Sequence, residues 1–142
     1  MSNTTHAEPS IQWRTLSIDC ADADLMADFY SRLLGWEIAR RGGSNPETGG
    51  SGWVTLSNPA GGVALAFGSA GWYEPPVWPE EPGALAKMMH FEIGVDDLDA
   101  SVALVVDAGG RVAPHQPDDR DQDALRIMLD PAGHPFCLFV LS

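Results

Sequence analysis

An internal repeat restricts the fold of this chain more than any other feature of its sequence. Residues 15–36 read TLSIDCADADLMADFYSRLLGW, and residues 90–111 read HFEIGVDDLDASVALVVDAGGR. At a shift of 75 positions the two segments match at four pairs: Ile18 with Ile93, Asp22 with Asp97, Asp24 with Asp99, and Gly35 with Gly110. Repetition at a fixed period indicates that one supersecondary unit occurs twice.

Each copy changes from a strand pattern to a helix pattern at an acidic turn. Apolar residues alternate before the turn, and apolar residues recur at spacings of three and four after it. Asp22 and Asp97 are suited to cap the helix that follows, because a carboxylate accepts its free N–H groups and opposes its dipole. Gly35 and the pair Gly109–Gly110 can adopt left-handed backbone angles, so we expect them to end the two helices.

A second pair of segments repeats at a shift of 72 positions. Residues 58–67 read NPAGGVALAF, and residues 130–139 read DPAGHPFCLF. Each contains a Pro-Gly turn between two strand patterns. With a further strand after each helix, each half is predicted to run strand, helix, strand, strand, strand. The predicted fold class is therefore α+β, built from two βαβββ modules.

The predicted organisation is one domain with a short tail. The tail is residues 1–10, and the domain is residues 11–141. The domain divides into modules 11–68 and 88–141, joined by a connector at residues 69–87 that is rich in aromatic residues and proline. We expect the connector to lie against the body of the protein, because it is too aromatic for a disordered tether.

Charge and composition exclude several classes of function. The formal net charge is -12, from 8 basic and 20 acidic residues, which argues against nucleic acid and against an anionic membrane surface as partners. No apolar run approaches the roughly 20 residues of a membrane span. Residues 1–10 lack a basic start and an apolar stretch, and two cysteines make no disulfide framework. We therefore expect a soluble, cytoplasmic protein.

Four stretches carry a resemblance to a known superfamily. They are LSIDCADADLMADFYSRLLGWEI, the NPAGG and DPAGHPF turns, and MHFEIGVDDLDASV. These segments resemble the vicinal-oxygen-chelate superfamily, the glyoxalase, bleomycin-resistance and extradiol-dioxygenase group, over residues 11–141. The resemblance implies two modules whose sheets curve around a cleft, with the helices outside, and a homodimer. The superfamily includes metal-dependent enzymes and metal-free proteins that sequester antibiotics, so the residues of the site must decide the function.

The resemblance implies four strand positions that hold a metal in the enzymes. In this sequence they carry Thr15, Leu65, His90 and Cys137. Only His90 is a usual ligand, and one histidine with one cysteine falls short of a catalytic zinc site. We therefore predict a degenerate metal site and no cofactor. The alternative is a displaced divalent metal held by His90 with Glu92, Cys137 or Asp19.

The leading hypothesis is a small-molecule-binding protein that sequesters a cationic or aromatic compound. We expect aromatic side chains at the mouth of the cleft, where they can stack on a planar ligand or hold a cation. The predicted cleft residues are Thr15, Ser17, Asp19, Leu65, Phe67, His90, Glu92, Cys137 and Phe139, with Trp72, Tyr73 and Trp78 near the mouth.

Two other hypotheses stay open. The chain could be a lyase, isomerase or dioxygenase-like enzyme, using a divergent metal site or acid–base catalysis by His90 and Glu92. It could also be a module with a vestigial cleft that binds a protein partner, which apolar side chains filling the cleft would favour. Cys137 is interpreted as an apolar filler rather than a nucleophile, and His134 as a turn residue.

Overall fold

The protein folds into two four-stranded sheets, each accompanied by one helix. The computed structural model describes residues 9–141, so most of the predicted tail lies outside the described residues. The first half forms β1 (Thr15–Cys20), α1 (Ala23–Leu34), β2 (Ile38–Gly42), β3 (Trp53–Leu56) and β4 (Ala64–Ser69). The second half forms β5 (Glu92–Val95), α2 (Leu98–Asp107), β6 (Arg111–Val112), β7 (Leu125–Leu129) and β8 (Pro135–Val140).

The two sheets have the same topology. The strand order is β1-β4-β3-β2 in the first sheet and β5-β8-β7-β6 in the second. In each sheet the first and last strands of the module pair in parallel, and the remaining pairs are antiparallel. The prediction of an α+β fold with two βαβββ modules is confirmed.

Both helices begin at the predicted aspartates. The Asp22 carboxylate accepts a hydrogen bond from the Leu25 N–H at 3.1 Å, and Asp97 accepts one from the Ala100 N–H at 3.0 Å. The first helix ends at Gly35, whose φ of 73° lies in the left-handed region. The second helix is followed by Gly109 at φ 112°, so two of the glycines behave as predicted.

Gly110 serves a different purpose from the one predicted, because its φ is not positive. A Cβ atom at this position would lie 2.8 Å from the carbonyl oxygen of Leu129 and 3.0 Å from the Phe29 ring. Glycine is required here because the second module and the Phe29 ring of the first helix both pack closely against this position.

One apolar core joins the two modules on the helix side of both sheets. Tyr30 of α1 stacks on Phe67 at 5.4 Å between ring centroids and meets the edge of Phe91 at the same distance. Phe29 packs against Phe136 of the second sheet at 6.2 Å. These three aromatic contacts fix the first helix against both halves. Within residues 9–141, no helix is long and apolar enough to cross a membrane.

Candidate functional site

Each sheet has a second face that points away from its helix, and we call this the outer face. On the first sheet, Thr15, Ser17 and Asp19 of β1 are all exposed on this face. Their strand partners on β4 are small residues. Small side chains on the central strand leave an open trough with a polar edge. The β4 partners are Ala64, Ala66 and Gly68.

An aromatic residue closes the other side of this trough. Gly68 pairs with Asp19 on one side and with Trp53 of β3 on the other, so all three lie in one row across the sheet. The carboxylate of Asp19 lies over Gly68, where a Cβ atom would be 3.7 Å from its Oδ1. Trp53 is 40% exposed. The first sheet therefore presents a carboxylate and an indole in the same row.

Leu65 and Phe67 do not belong to this face, so their predicted place in the cleft is wrong. Their partners on β1 are Leu16 and Ile18, which point towards the helix. Leu65 is 6% exposed and Phe67 is fully buried, and both belong to the shared core.

Leu65 and Phe67 were assigned to the wrong face because the second Pro-Gly turn reaches its following strand one residue sooner than the first turn does. Glu92 corresponds to Ser17 in the repeat, and their partners on the last strands are Cys137 and Ala66. The last strands therefore correspond at a shift of 71, whereas the Pro-Gly turns correspond at 72. A slip of one residue moves every side chain of a strand to the opposite face.

The outer face of the second sheet carries the other predicted strand residues together. Glu92 pairs with Cys137, and Phe139 follows on the same face of β8. His90 lies just before β5, with its Nε2 atom 3.9 Å from a carboxylate oxygen of Glu92. Glu92 thus lies next to both His90 and Cys137, on a sheet other than the one that holds Asp19.

An apolar cluster fills the rest of this second outer face. It consists of Ala113, Ile127 and Leu129, with Leu125, Cys137 and Trp78 packed against it. Burial raises the pKa of the Cys137 thiol, and the nearby charge of Glu92 raises it further. A thiol held in its neutral form is a poor nucleophile, so its interpretation as an apolar filler agrees with its surroundings.

The four metal positions of the resemblance do not come together as a ligand set. Of these four positions, the two on the first sheet supply only the Thr15 hydroxyl, because Leu65 points into the core. Asp19 lies on the first sheet, and His90, Glu92 and Cys137 lie on the second. Among residues 9–141, no group of three or more His, Cys, Asp or Glu side chains is placed to hold a metal ion. These residues do not fit a resident divalent metal, which needs about three protein ligands.

The connector contacts the body of the protein, as predicted, through two of its aromatic residues. The Tyr73 hydroxyl donates to the Ala132 carbonyl at 2.8 Å and lies 3.2 Å from His134 Nε2. Trp78 packs on the apolar cluster of the second sheet. Trp72 is 72% exposed, so the three aromatic residues do not form one group.

A buried carboxylate at the junction of the two modules is a feature that sequence reasoning missed. Asp130 is 3% exposed and accepts a hydrogen bond from the Tyr30 hydroxyl at 2.7 Å. It also accepts from the backbone N–H groups of Ala132 and His134, and His134 Nδ1 lies 3.0 Å from its Oδ2. The DPAGH sequence of the turn could have indicated this arrangement, because an aspartate can hydrogen-bond to a histidine four residues later across a tight turn.

Both tyrosines of the chain have raised pKa values. Burial is the main cause at Tyr30 and at Tyr73, and the charge of Asp130 adds to it in both cases. Because an unfolded tyrosine ionises near pH 10, the unfolded chain loses these protons first. The stabilisation is complete below about pH 10 and is lost as the pH rises above it.

We therefore expect tyrosinate absorbance near 295 nm to stay absent from the folded protein at a pH just above 10. The same protein unfolded in urea should show each tyrosine somewhat more than half ionised. Tyr73→Phe isolates Tyr30 and serves as the control. A folded titration that coincides with the unfolded one would contradict the buried arrangement.

The family model described as "Glyoxalase-like domain" matches residues 15–139. The chain belongs to the glyoxalase-like domain family. The chain is 28% identical over 118 residues to CFP32 of Mycobacterium bovis and of Mycobacterium tuberculosis, which is described as a glyoxylase. That match covers 83% of this chain, which spans 41% of the length of these curated relatives.

Solved structures of the same fold include enzymes and a binding protein. A glyoxalase/bleomycin resistance protein/dioxygenase family enzyme from Burkholderia phytofirmans has a TM-score of 0.60 at 16% identity, covering 93% of this chain and all of that chain. TnmS3, an antibiotic binding protein from Streptomyces, has a TM-score of 0.54 at 19% identity, covering 96% of this chain and all of that chain. At these identities the likeness establishes the fold of this glyoxalase-like chain and leaves its activity to the site.

Proposed function

We propose that this glyoxalase-like protein binds a small organic cation with an aromatic or apolar body and holds it without chemical change. One observation carries the proposal. In each half of the chain, the outer face carries both a carboxylate and an indole. Asp19 shares a row with Trp53, and Glu92 lies beside Cys137, which packs in the same cluster as Trp78.

The electrostatics of these two carboxylates favour a cationic ligand. Among residues 9–141, neither Asp19 nor Glu92 has a lysine or arginine nitrogen within 4.0 Å. An indole face attracts a cation by about 0.5–1 kcal/mol at an exposed site and by more where water is excluded. A net charge of -12 also raises the local concentration of cations. The description of TnmS3 as an antibiotic binding protein supports a binding role for this fold.

We further propose that the complete site forms in a homodimer. The cavity beside Thr15 is lined by residues of the first half alone, and the cavity beside Trp78 by the connector and the second half. A second copy that placed its second sheet over the first outer face would bring Asp19 and Glu92 to one ligand. The open trough on the first sheet supports this arrangement, because it leaves room for such a partner.

The test uses three benzyl compounds that differ in charge: benzyltrimethylammonium, benzyl alcohol and phenylacetate. We expect the cation to bind more tightly than the other two. Asp19→Asn and Glu92→Gln should each weaken cation binding by roughly two- to fivefold, the size of one exposed charge interaction. Asp118→Asn, on an exposed loop, removes the same charge and is the matched control. Equilibrium dialysis measures the affinities, and native mass spectrometry reports whether the complex is dimeric.

Two results would contradict this proposal. One is equal or tighter binding of phenylacetate, which would show that the outer faces select an anion. The other is equal weakening by Asp118→Asn, which would show that only the overall charge acts.

The proximity of His90 and Glu92 favours a second candidate, an acid–base enzyme. Their side chains are 3.9 Å apart and are 32% and 66% exposed, so both groups can reach a substrate and exchange protons with water. Mass spectrometry of a recovered compound separates the two candidates. An enzyme returns a changed compound, and His90→Ala or Glu92→Ala abolishes the change while the fold is kept. A binding protein returns the compound intact.

A further inference from the structure

Lys87 is the only lysine in the sequence, and its side chain occupies an aromatic and acidic setting. Its ammonium nitrogen lies 4.2 Å from the centre of the Trp78 ring. The same nitrogen donates a hydrogen bond to Glu80 Oε1 at 3.0 Å. A cation over an indole with a carboxylate beside it is the arrangement by which proteins hold organic ammonium groups.

The Lys87 side chain is unusually well covered for a lysine. Only 20% of it is exposed, although lysine ammonium groups are strongly hydrated and usually extend into water. Its charge acts on the outer face of the second sheet, since it opposes the rise in the pKa of Cys137 caused by burial and by Glu92. Lys87 therefore places a cation at the edge of the face proposed to bind the ligand.

The indole beneath Lys87 is held in place by contacts that do not involve the lysine. Trp78 Nε1 donates to the His115 carbonyl at 3.1 Å, and the Trp78 and His115 rings meet at 5.9 Å between centroids. The same indole packs against the apolar cluster of Ala113, Ile127 and Leu129. The ring is thus supported independently of the ammonium group that covers it.

We infer that Trp78 and Glu80 form a subsite for the ammonium group of the ligand, and that Lys87 occupies this subsite as an internal competitor. The inference rests on the proposed function and adds the position of the cation and a form of self-inhibition. A ligand must displace Lys87 before it binds, so the fraction of molecules with the subsite free limits the apparent affinity.

Removing the Lys87 charge is expected to strengthen binding of benzyltrimethylammonium. Lys87→Met keeps most of the apolar side chain and should lower the Kd by about tenfold, the effect of freeing a subsite that is about nine-tenths occupied. Lys87→Arg keeps a cation over the ring and should leave the Kd near that of the wild type. Adding Trp78→Leu to Lys87→Met should abolish the gain. Benzyl alcohol should bind equally to wild type and Lys87→Met.

A second measurement removes the Lys87 charge from the wild-type protein by chemical modification. Lys87 carries the only side-chain amine, so acetylating the folded protein neutralises it along with the chain's terminal amine. The acetylated protein should show the same gain in cation affinity as Lys87→Met. Acetylated Lys87→Arg, modified at the terminus alone, is its control.

The outcomes separate this inference from the proposed function. If wild type binds the cation and Lys87→Met binds it no more tightly, the competitor inference is wrong and the proposed function stands. If Lys87→Met loses binding of phenylacetate and gains none for the cation, Lys87 is an anchor for anions and the inference is also wrong. If neither form binds the cation, both proposals fail.

Discussion

Replacing Asp130 with alanine is expected to lower the free energy of unfolding by about 3–5 kcal/mol, because three donors lose the acceptor that they share. The substitution removes the acceptor for the Tyr30 hydroxyl and for the backbone N–H groups of Ala132 and His134. The Tyr30 hydroxyl then stays buried without its partner, which costs about 1–3 kcal/mol, and the two part-buried N–H groups lose their acceptor as well. Urea denaturation with a constant m-value measures the loss.

The first module supplies a matched control for this prediction. Asn58 occupies the same position in the other Pro-Gly turn, where it accepts from the Ala60 N–H at 3.0 Å and donates to the Val63 carbonyl at 3.0 Å. Because these bonds are neutral and local, Asn58→Ala should cost about 1 kcal/mol. Equal effects of the two substitutions would show that Asp130 acts only as a turn residue and does not join the modules.

Phe67→Ala is expected to destabilise the protein by about 3–5 kcal/mol, the usual cost of truncating a fully buried phenylalanine. The ring is fully buried and stacks on Tyr30 at 5.4 Å with an interplanar angle of 6°. Its loss leaves a cavity between the first sheet and the helix that packs on it. Thermal or urea unfolding monitored by circular dichroism measures this cost.

Phe139→Ala is the paired substitution, because Phe139 aligns with Phe67 in the sequence repeat but lies on the outer face. It is partly exposed and pairs with Gly94 and Leu125 across the sheet. Phe139 buries less apolar surface than Phe67, so truncating it should lower the free energy of unfolding by about half as much as Phe67→Ala, or less. A larger cost for Phe139→Ala would contradict the assignment of faces.

The sequence was sufficient to predict the fold because the determinants of the fold are local and occur twice. Asp22 and Asp97 begin the helices through contacts three residues away, and the spacing of apolar residues identifies each helix and strand. Both copies contain the same local pattern, so the assignment of helix and strand in one copy supports the assignment in the other. The β1 and β5 residues on the outer faces were identified for the same reason.

The parts that the sequence did not predict depend on long-range pairing. Leu65 and Phe67 were misplaced because a one-residue difference after the second turn changes which face of the last strand is exposed. The Tyr30–Asp130 hydrogen bond joins residues 100 positions apart, and no local pattern reports such a contact. The position of the Lys87 ammonium group over the Trp78 ring likewise depends on the path of the connector, which has no regular secondary structure.

The two outer faces differ in how much space they leave for a ligand. The second is filled by an apolar cluster and covered by Trp78, as expected of a vestigial cleft. The first is an open trough bounded by Asp19 and Trp53. The open first face leaves room for the body of a ligand, and in the proposed dimer the second face of another copy would add Glu92 and Trp78 to the site.

The central claim is that this glyoxalase-like protein holds an organic cation without a metal ion. Native mass spectrometry of the chelator-treated full chain with benzyltrimethylammonium tests it most directly. We expect a stoichiometric adduct that survives chelation and is weakened by Glu92→Gln. An adduct that disappears on chelation and returns with a divalent metal would contradict it, and so would a complete absence of the adduct.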